Sequence, residues 1–197
     1  MKKINTDLLD EAIIFAVNAH KGAERRGKGF PYIVHPMEAV AIVSTMTGDQ
    51  ELLAAAALHD TVEDTDVTAA DIEAKFGRRI AALVAAESDE YTEGVSAEDS
   101  WHARKQAAII RLKNADHDAK IVAMGDKLSN MRAIARDYDE IGDALWQRFH
   151  TTDPKEHEWH YRGLAESLSE LHDTAAYREF VSLIDGIFAK ACKKSSL

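Results

Sequence analysis

The chain has 197 residues, 46% of them hydrophobic and 29% charged, with a formal net charge of −10. That balance suits a globular protein large enough for a sizeable core, and it lacks the basic face that general nucleic-acid binding needs. A single cysteine, Cys192, excludes an internal disulfide framework and fits a reducing compartment.

No apolar run reaches the length of a membrane span, and the opening MKKINTDLLDEAIIFAVNAHKG is too polar for a secretory leader. The expectation is a cytoplasmic protein with no nucleic-acid and no membrane partner; homo-oligomerisation stays open. With three prolines and ten glycines, the composition favours helix. Leu8, Leu9, Ala12, Ile13, Ala16 and Ala19 recur at helical spacing behind a Thr6 cap, which predicts a first helix. The glycine-rich loop KGAERRGKGFPYIV follows. Pro36 is expected to open a second helix at its first position, running to Gly48, and a third is expected over 50–62. TAAD reads as a cap at Thr68 with Asp71 three residues on, starting a short helix that stops at Gly77. RRIAALVAAES predicts a fifth helix, 89–98 a polar loop and 98–113 a sixth helix; a seventh begins near His117. Segments 139–149, 154–172 and 175–190 complete the pattern. The expected fold is all-α, a single compact bundle of about ten helices over 1–197, with 139–190 packed on as a C-terminal helical extension.

Within this pattern AALHDTVEDT is out of place. An Ala/Leu-rich helix that should be buried ends on His59, Asp60, Glu63 and Asp64, and unpaired buried charge is expensive. His35 stands beside Pro36, and Asp126 follows the apolar run IVAMG. Taken together, His35, His59, Asp60 and Asp126 make a set of two imidazoles and two carboxylates. That set suits Mn²⁺ or another six-coordinate ion with open positions for water and a phosphate oxygen. Taken singly, each has an ordinary alternative: a satisfied core histidine, or a mid-helix aspartate paired with Lys127 or Arg132. Glu63 lies four residues after His59 and three after Asp60, so it shares their side of a helix. Glu63 and Asp64 are candidates to orient or deprotonate a water. Their alternative is a solvated acidic helix end, which conflicts with the helix dipole. Lys21, Arg25, Arg26 and Lys28 interleave with glycines just before His35. Such a loop either clamps phosphates or is simply solvated surface. Trp101, Trp146 and Trp159 read as packing residues, and His150, His157 and His160 as surface or interhelix residues.

The order H…HD…D, with PYIVHPMEAV, LHDTVEDT followed by VTAADIEAKFG, and MGDKLSNMRAI, resembles the HD-domain phosphohydrolases. More narrowly it resembles the hydrolase domain of the Rel/SpoT homologues, over roughly residues 8–135. SWHARKQ and EHEWHYRGLAESL are similar to the stand-alone small alarmone hydrolases. The resemblance implies that His35, His59, Asp60 and Asp126 hold one Mn²⁺ ion, and that Glu63 and Asp64 activate or position water. It implies that (p)ppGpp is hydrolysed to GDP or GTP and pyrophosphate, and that Asn130 contacts the nucleotide. The family pattern has a shorter basic run than RRGKGFPY, so which arginine stacks on the base stays open. Glu87 and Ser88 replace a Val-Thr step of the family, with Arg104 and Lys105 on the next helix to offset the acid; Arg104 joins the substrate-binding set. Two other readings remain: the same chemistry on another nucleotide (an adenosine alarmone, or the 2′-phosphate of NADPH), and a nucleotide-binding protein without turnover, against which Glu63 and Asp64 weigh.

Overall fold

A computed structural model of the chain describes residues 4–25, 27–87 and 100–194, with side chains as far as 190. In chain order its α-helices are α1 (Asp7–Ala19), α2 (Val34–Val43), α3 (Gln50–Leu58), α4 (Thr61–Asp64), α5 (Ala69–Phe76), α6 (Arg78–Glu87), α7 (Trp101–Lys113), α8 (His117–Ile141), α9 (Pro154–Ser167) and α10 (Ala175–Lys194). Short 3-10 segments lie at Gly142–Arg148 and Ser169–Leu171. Among the described residues the only extended pairing is an isolated bridge between Glu24 and Pro31. The fold is all-α. No helix among these residues is long and apolar enough to cross a membrane.

The helices form two compact units, one within Met1–Ser88 and Asp116–Asp126, the other within Asp89–Ala115 and Lys127–Leu197. The first is built around α3, whose residues from Leu52 to Leu58 are all buried. Four consecutive alanines let its neighbours α1, α2 and α6 approach closely. Asp49 caps α3, its side chain accepting from the Glu51 N–H at 2.9 Å. Arg79 of α6 then binds Asp49 (2.9 Å), Asp118 (2.7 Å) and Glu51, which joins the N-terminal ends of α3 and α8 to α6. The capping box expected at Thr68 and Asp71 is formed, and Gly77, at φ 89°, ends α5.

Two boundaries differ from the expectation in ways that matter. Helix α2 begins at Val34, not at Pro36. Pro36 is therefore the third residue, where an N–H has no intrahelical acceptor and its loss costs nothing. His35 consequently sits inside the first turn of the helix. Helix α3 stops at Leu58 instead of running to 62. The Thr61 hydroxyl donates to the Leu58 carbonyl at 2.7 Å, and the His59 ring nitrogen Nδ1 lies 2.8 Å from the Ala56 carbonyl. Side chains thus take carbonyls at the end of α3, and the chain turns through His59 and Asp60 into α4.

The expected loop over 89–98 lies outside the described residues, as does the first part of the expected sixth helix; α7 is described from Trp101. Helix α8 runs on to Ile141, and most of the expected 139–149 segment is 3-10. Helix α9 ends at Ser167, short of 172.

In the second unit α9 packs on α7 and α10. Buried Trp146 stacks on His157 at 5.2 Å and on Phe188 at 5.7 Å between ring centres. Trp101 is buried, and Trp159 stacks on His102 at 4.1 Å, so the tryptophans serve packing. His157 is an interhelix residue: it is buried, and its Nε2 donates to the Thr151 carbonyl at 2.7 Å. Burial lowers its pKa. Arg132, one alternative partner weighed for Asp126, forms a two-pronged bond to Glu179 at 2.7 and 2.8 Å.

Candidate metal centre

Three stretches far apart in sequence meet in the first unit. The first turn of α2 supplies His35, the turn between α3 and α4 supplies His59 and Asp60, and α8 supplies Asp126. His59 Nδ1 faces a carbonyl, so it must carry a proton and donate. That fixes the ring and aims Nε2 at the cluster. His59 Nε2 lies 3.2 Å from His35 Nε2. Asp60 Oδ2 lies 3.3 Å from His35 Nε2 and 3.1 Å from His59 Nε2. Asp126 Oδ1 lies 3.1 and 3.5 Å from the same two nitrogens. His35, His59 and Asp126 are 4%, 2% and 6% exposed, and each offers a ligand atom within 4.8 Å of the other two. Asp60 joins them through its contacts to both rings.

In an unbroken helix the side chains of His59 and Asp60 would diverge by about 100°. His59 (φ −54°, ψ −36°) and Asp60 (φ −94°, ψ −3°) keep helical-region backbones past Leu58, and the two side chains, which differ in reach, nonetheless converge on one point. Two imidazole nitrogens cannot face each other at this distance unless a proton or a cation lies between them. Two carboxylates and two imidazoles balance a divalent ion in charge and suit it in ligand type, so the donor set fits such an ion. Burial alone would lower the pKa of His59, but Asp60 and Asp126 outweigh it and hold it well above the ordinary 6.5. Burial would raise Asp60, but the charge of His59 and hydrogen bonds from His35 and His59 hold it well below the ordinary 3.8.

Glu63 and Asp64 are exposed on α4, one turn beyond the cluster. A cavity of about 580 Å³ opens beside Asp64, lined also by Phe15, Ala19, Thr65 and Asp66. The basic loop is folded back on itself: Arg25 N–H donates to the Phe30 carbonyl, Lys28 N–H to the Arg25 carbonyl and Tyr32 N–H to the Ala23 carbonyl, each at 2.9 Å. Gly27 and Gly29, at φ 68° and 70°, permit the turn. Lys21 is exposed, Arg25 and Lys28 are half-buried, and Arg26 lies outside the described residues. Asn130 follows Asp126 by one turn of α8, and Arg104 on α7 donates to the Ser100 hydroxyl at 3.2 Å. Both belong to the second unit.

Tyr32 is a site residue that the motif reading passed over. Its hydroxyl donates to Asp60 Oδ2 at 2.7 Å. Its ring stacks on His20 at 4.8 Å, and the Arg25 guanidinium carbon lies 5.2 Å from its centre. Burial, then Asp60 and Asp64, push its pKa far above 10.0. The signal was its place three residues before His35, one turn away on the same side, which becomes visible only when the helical turn is known to begin before Pro36.

The HD domain family model matches residues 12–150. A guanosine-3′,5′-bis(diphosphate) 3′-pyrophosphohydrolase of Danio rerio is 35% identical over 137 residues, 67% of this chain and 72% of the relative. A GTP pyrophosphokinase rsh of Brucella ovis is 32% identical over 131 residues, 66% of this chain but 17% of that protein, so the chain spans about a sixth of such long relatives. Among solved structures, a metazoan orthologue of SpoT that hydrolyses ppGpp shares the fold, with a TM-score of 0.71 over 96% of this chain and 98% of its own at 22% identity. A Listeria monocytogenes EGD-e protein has a TM-score of 0.68 over 82% of this chain and 98% of its own at 27% identity. Matched over most of its length, the chain belongs to the HD-domain family and, within it, to the Rel/SpoT-type group.

Proposed function

We propose that the protein hydrolyses guanosine 3′,5′-bis(diphosphate) and its triphosphate counterpart, releasing pyrophosphate from the ribose 3′ position and leaving GDP or GTP, and so lowers the stringent-response alarmone in the cytoplasm. The observation that carries this reading is the convergence of His35, His59, Asp60 and Asp126 on one point, with Glu63 and Asp64 exposed one turn away. The Danio rerio relative bears the name of this activity. A divalent ion, which we take to be one Mn²⁺, would polarise the phosphate and make water a better nucleophile when held by the four residues. Glu63 or Asp64 accepts the proton of the attacking water. Water adds to the phosphorus attached to the 3′ oxygen, that P–O bond breaks, and the ribose oxygen leaves as a hydroxyl after taking a proton. Lys21, Arg25, Arg26 and Lys28 hold the phosphates, and Asn130 and Arg104 complete the proposed set of substrate-binding residues.

The test is to incubate the purified chain with Mn²⁺ and ppGpp and to identify the products. GDP and pyrophosphate are expected. Unchanged ppGpp together with orthophosphate from NADPH would reassign the substrate. Tight binding of ppGpp without turnover would make the protein a nucleotide sensor.

A further inference from the structure

Tyr32 touches both halves of the site. Its hydroxyl donates to Oδ2 of Asp60, the same oxygen that lies 3.3 and 3.1 Å from the two imidazoles. Its ring lies under Arg25 of the basic loop, and its backbone N–H closes that loop on the Ala23 carbonyl. On the other side of the connection, its carbonyl accepts from the His35 N–H at 2.9 Å, at the start of α2. The ring is held by stacking on buried His20 at 4.8 Å.

We propose that Tyr32 is a positioning residue that couples the phosphate-holding loop to the metal site. The role deepens the hydrolase reading and rests on it. A carboxylate oxygen has two lone-pair directions. The phenol hydroxyl occupies one on Asp60 Oδ2 and leaves the other aimed at the imidazole nitrogens. An outer donor of this kind fixes the orientation of a ligating carboxylate, and its removal typically costs about 10- to 100-fold in metal affinity or activity. The ring acts on a different partner. A guanidinium over an aromatic face at an exposed site gains a modest attraction, equivalent to roughly two- to five-fold in binding. Hydroxyl and ring therefore have separable effects: the hydroxyl on Asp60 and the ion, the ring on Arg25 and the phosphates.

Two variants separate them. Tyr32→Phe keeps the ring and removes the donor, while Tyr32→Leu removes both. Metal-stripped protein is titrated with Mn²⁺ alone by calorimetry, and steady-state kinetics on ppGpp follow at saturating Mn²⁺. Tyr32→Phe is expected to weaken Mn²⁺ binding at least about ten-fold, to recover most of its kcat when Mn²⁺ is raised, and to keep the wild-type KM. Tyr32→Leu is expected to show the same Mn²⁺ defect with KM raised roughly two- to five-fold. Circular dichroism confirms that each variant is folded, and Tyr32→Phe leaves the packing of the ring intact should Tyr32→Leu fail to fold. A Tyr32→Phe protein with wild-type Mn²⁺ affinity overturns the proposal, as does one whose lost kcat no concentration of Mn²⁺ restores. A wild-type chain that binds Mn²⁺ but leaves ppGpp intact overturns the hydrolase reading alone, because the Mn²⁺ titration still decides the role of the hydroxyl. A wild-type chain that binds no divalent ion overturns both.

Discussion

Gly125→Ala tests whether the closeness of α2 and α8 is what brings Asp126 to His35. Gly125 lies inside α8, where glycine is about 1 kcal/mol worse than alanine, so propensity alone predicts that the substitution stabilises. The structure predicts the opposite. A methyl placed on Gly125 would lie 2.7 Å from Val43 Cγ2 and 2.9 Å from the Ala39 carbonyl oxygen. Both neighbours belong to α2 and are fully buried. The valine can adjust its rotamer, but the carbonyl is backbone, and relief requires the two helices to separate by a few tenths of an ångström. Overpacking of this kind costs roughly 1–3 kcal/mol. Set against the propensity gain, the net loss is about 1 kcal/mol and at most about 2. For a chain of this size that lowers Tm by about 2–8 °C. The same separation pulls Asp126, the next residue, away from His35, so Mn²⁺ affinity falls as well. Calorimetric melting of the metal-free protein and Mn²⁺ titration measure the two effects. Gly186→Ala is the control: Gly186 lies in α10 with nothing within 4 Å of the added methyl, and it should gain roughly 0.5–1 kcal/mol. A Gly125→Ala protein that melts no lower than wild type and binds Mn²⁺ equally well would refute the close-packing account.

Glu63→Ala should cut kcat by roughly 100-fold or more, the usual contribution of a general base, while metal content measured by atomic absorption stays at the wild-type level; loss of the ion would place Glu63 among the ligands instead. On the proposed ligand set, Mn²⁺ would displace a proton from His59, whose pKa Asp60 and Asp126 hold above 6.5. Affinity is therefore expected to rise with pH through the neutral range, with proton release visible in buffers of different ionisation enthalpy; a pH-independent affinity would contradict this. Burial lowers the pKa of His157 below 6.5, so the folded state holds it neutral while the unfolded chain takes up a proton first. Its contribution to stability is complete above about pH 6.5 and is lost as pH falls through the folded value. Urea denaturation between about pH 7.5 and 5 should show that decline, and His157→Gln should flatten it.

The cluster at the end of an apolar helix was legible from residue types alone, because a histidine and three carboxylates within six residues conflict with burial unless something satisfies them. The capping box at Thr68 was equally plain, since it depends on residues three apart. The second-unit residues were less legible: the sequence leaves His157 as either a surface or an interhelix residue, and only packing against Trp146 shows that it is buried.

Local chemistry determined that the chain is helical, that Thr68 and Asp71 cap α5 and which residues have the chemistry to hold an ion. Tertiary packing decided how they meet. The early start of α2 moved His35 into a helical turn, and Gly125 set how near α8 can come. The bond from Tyr32 to Asp60 joins residues 28 apart. No local periodicity encodes such a contact, because it depends on the angle and distance at which separate elements pack.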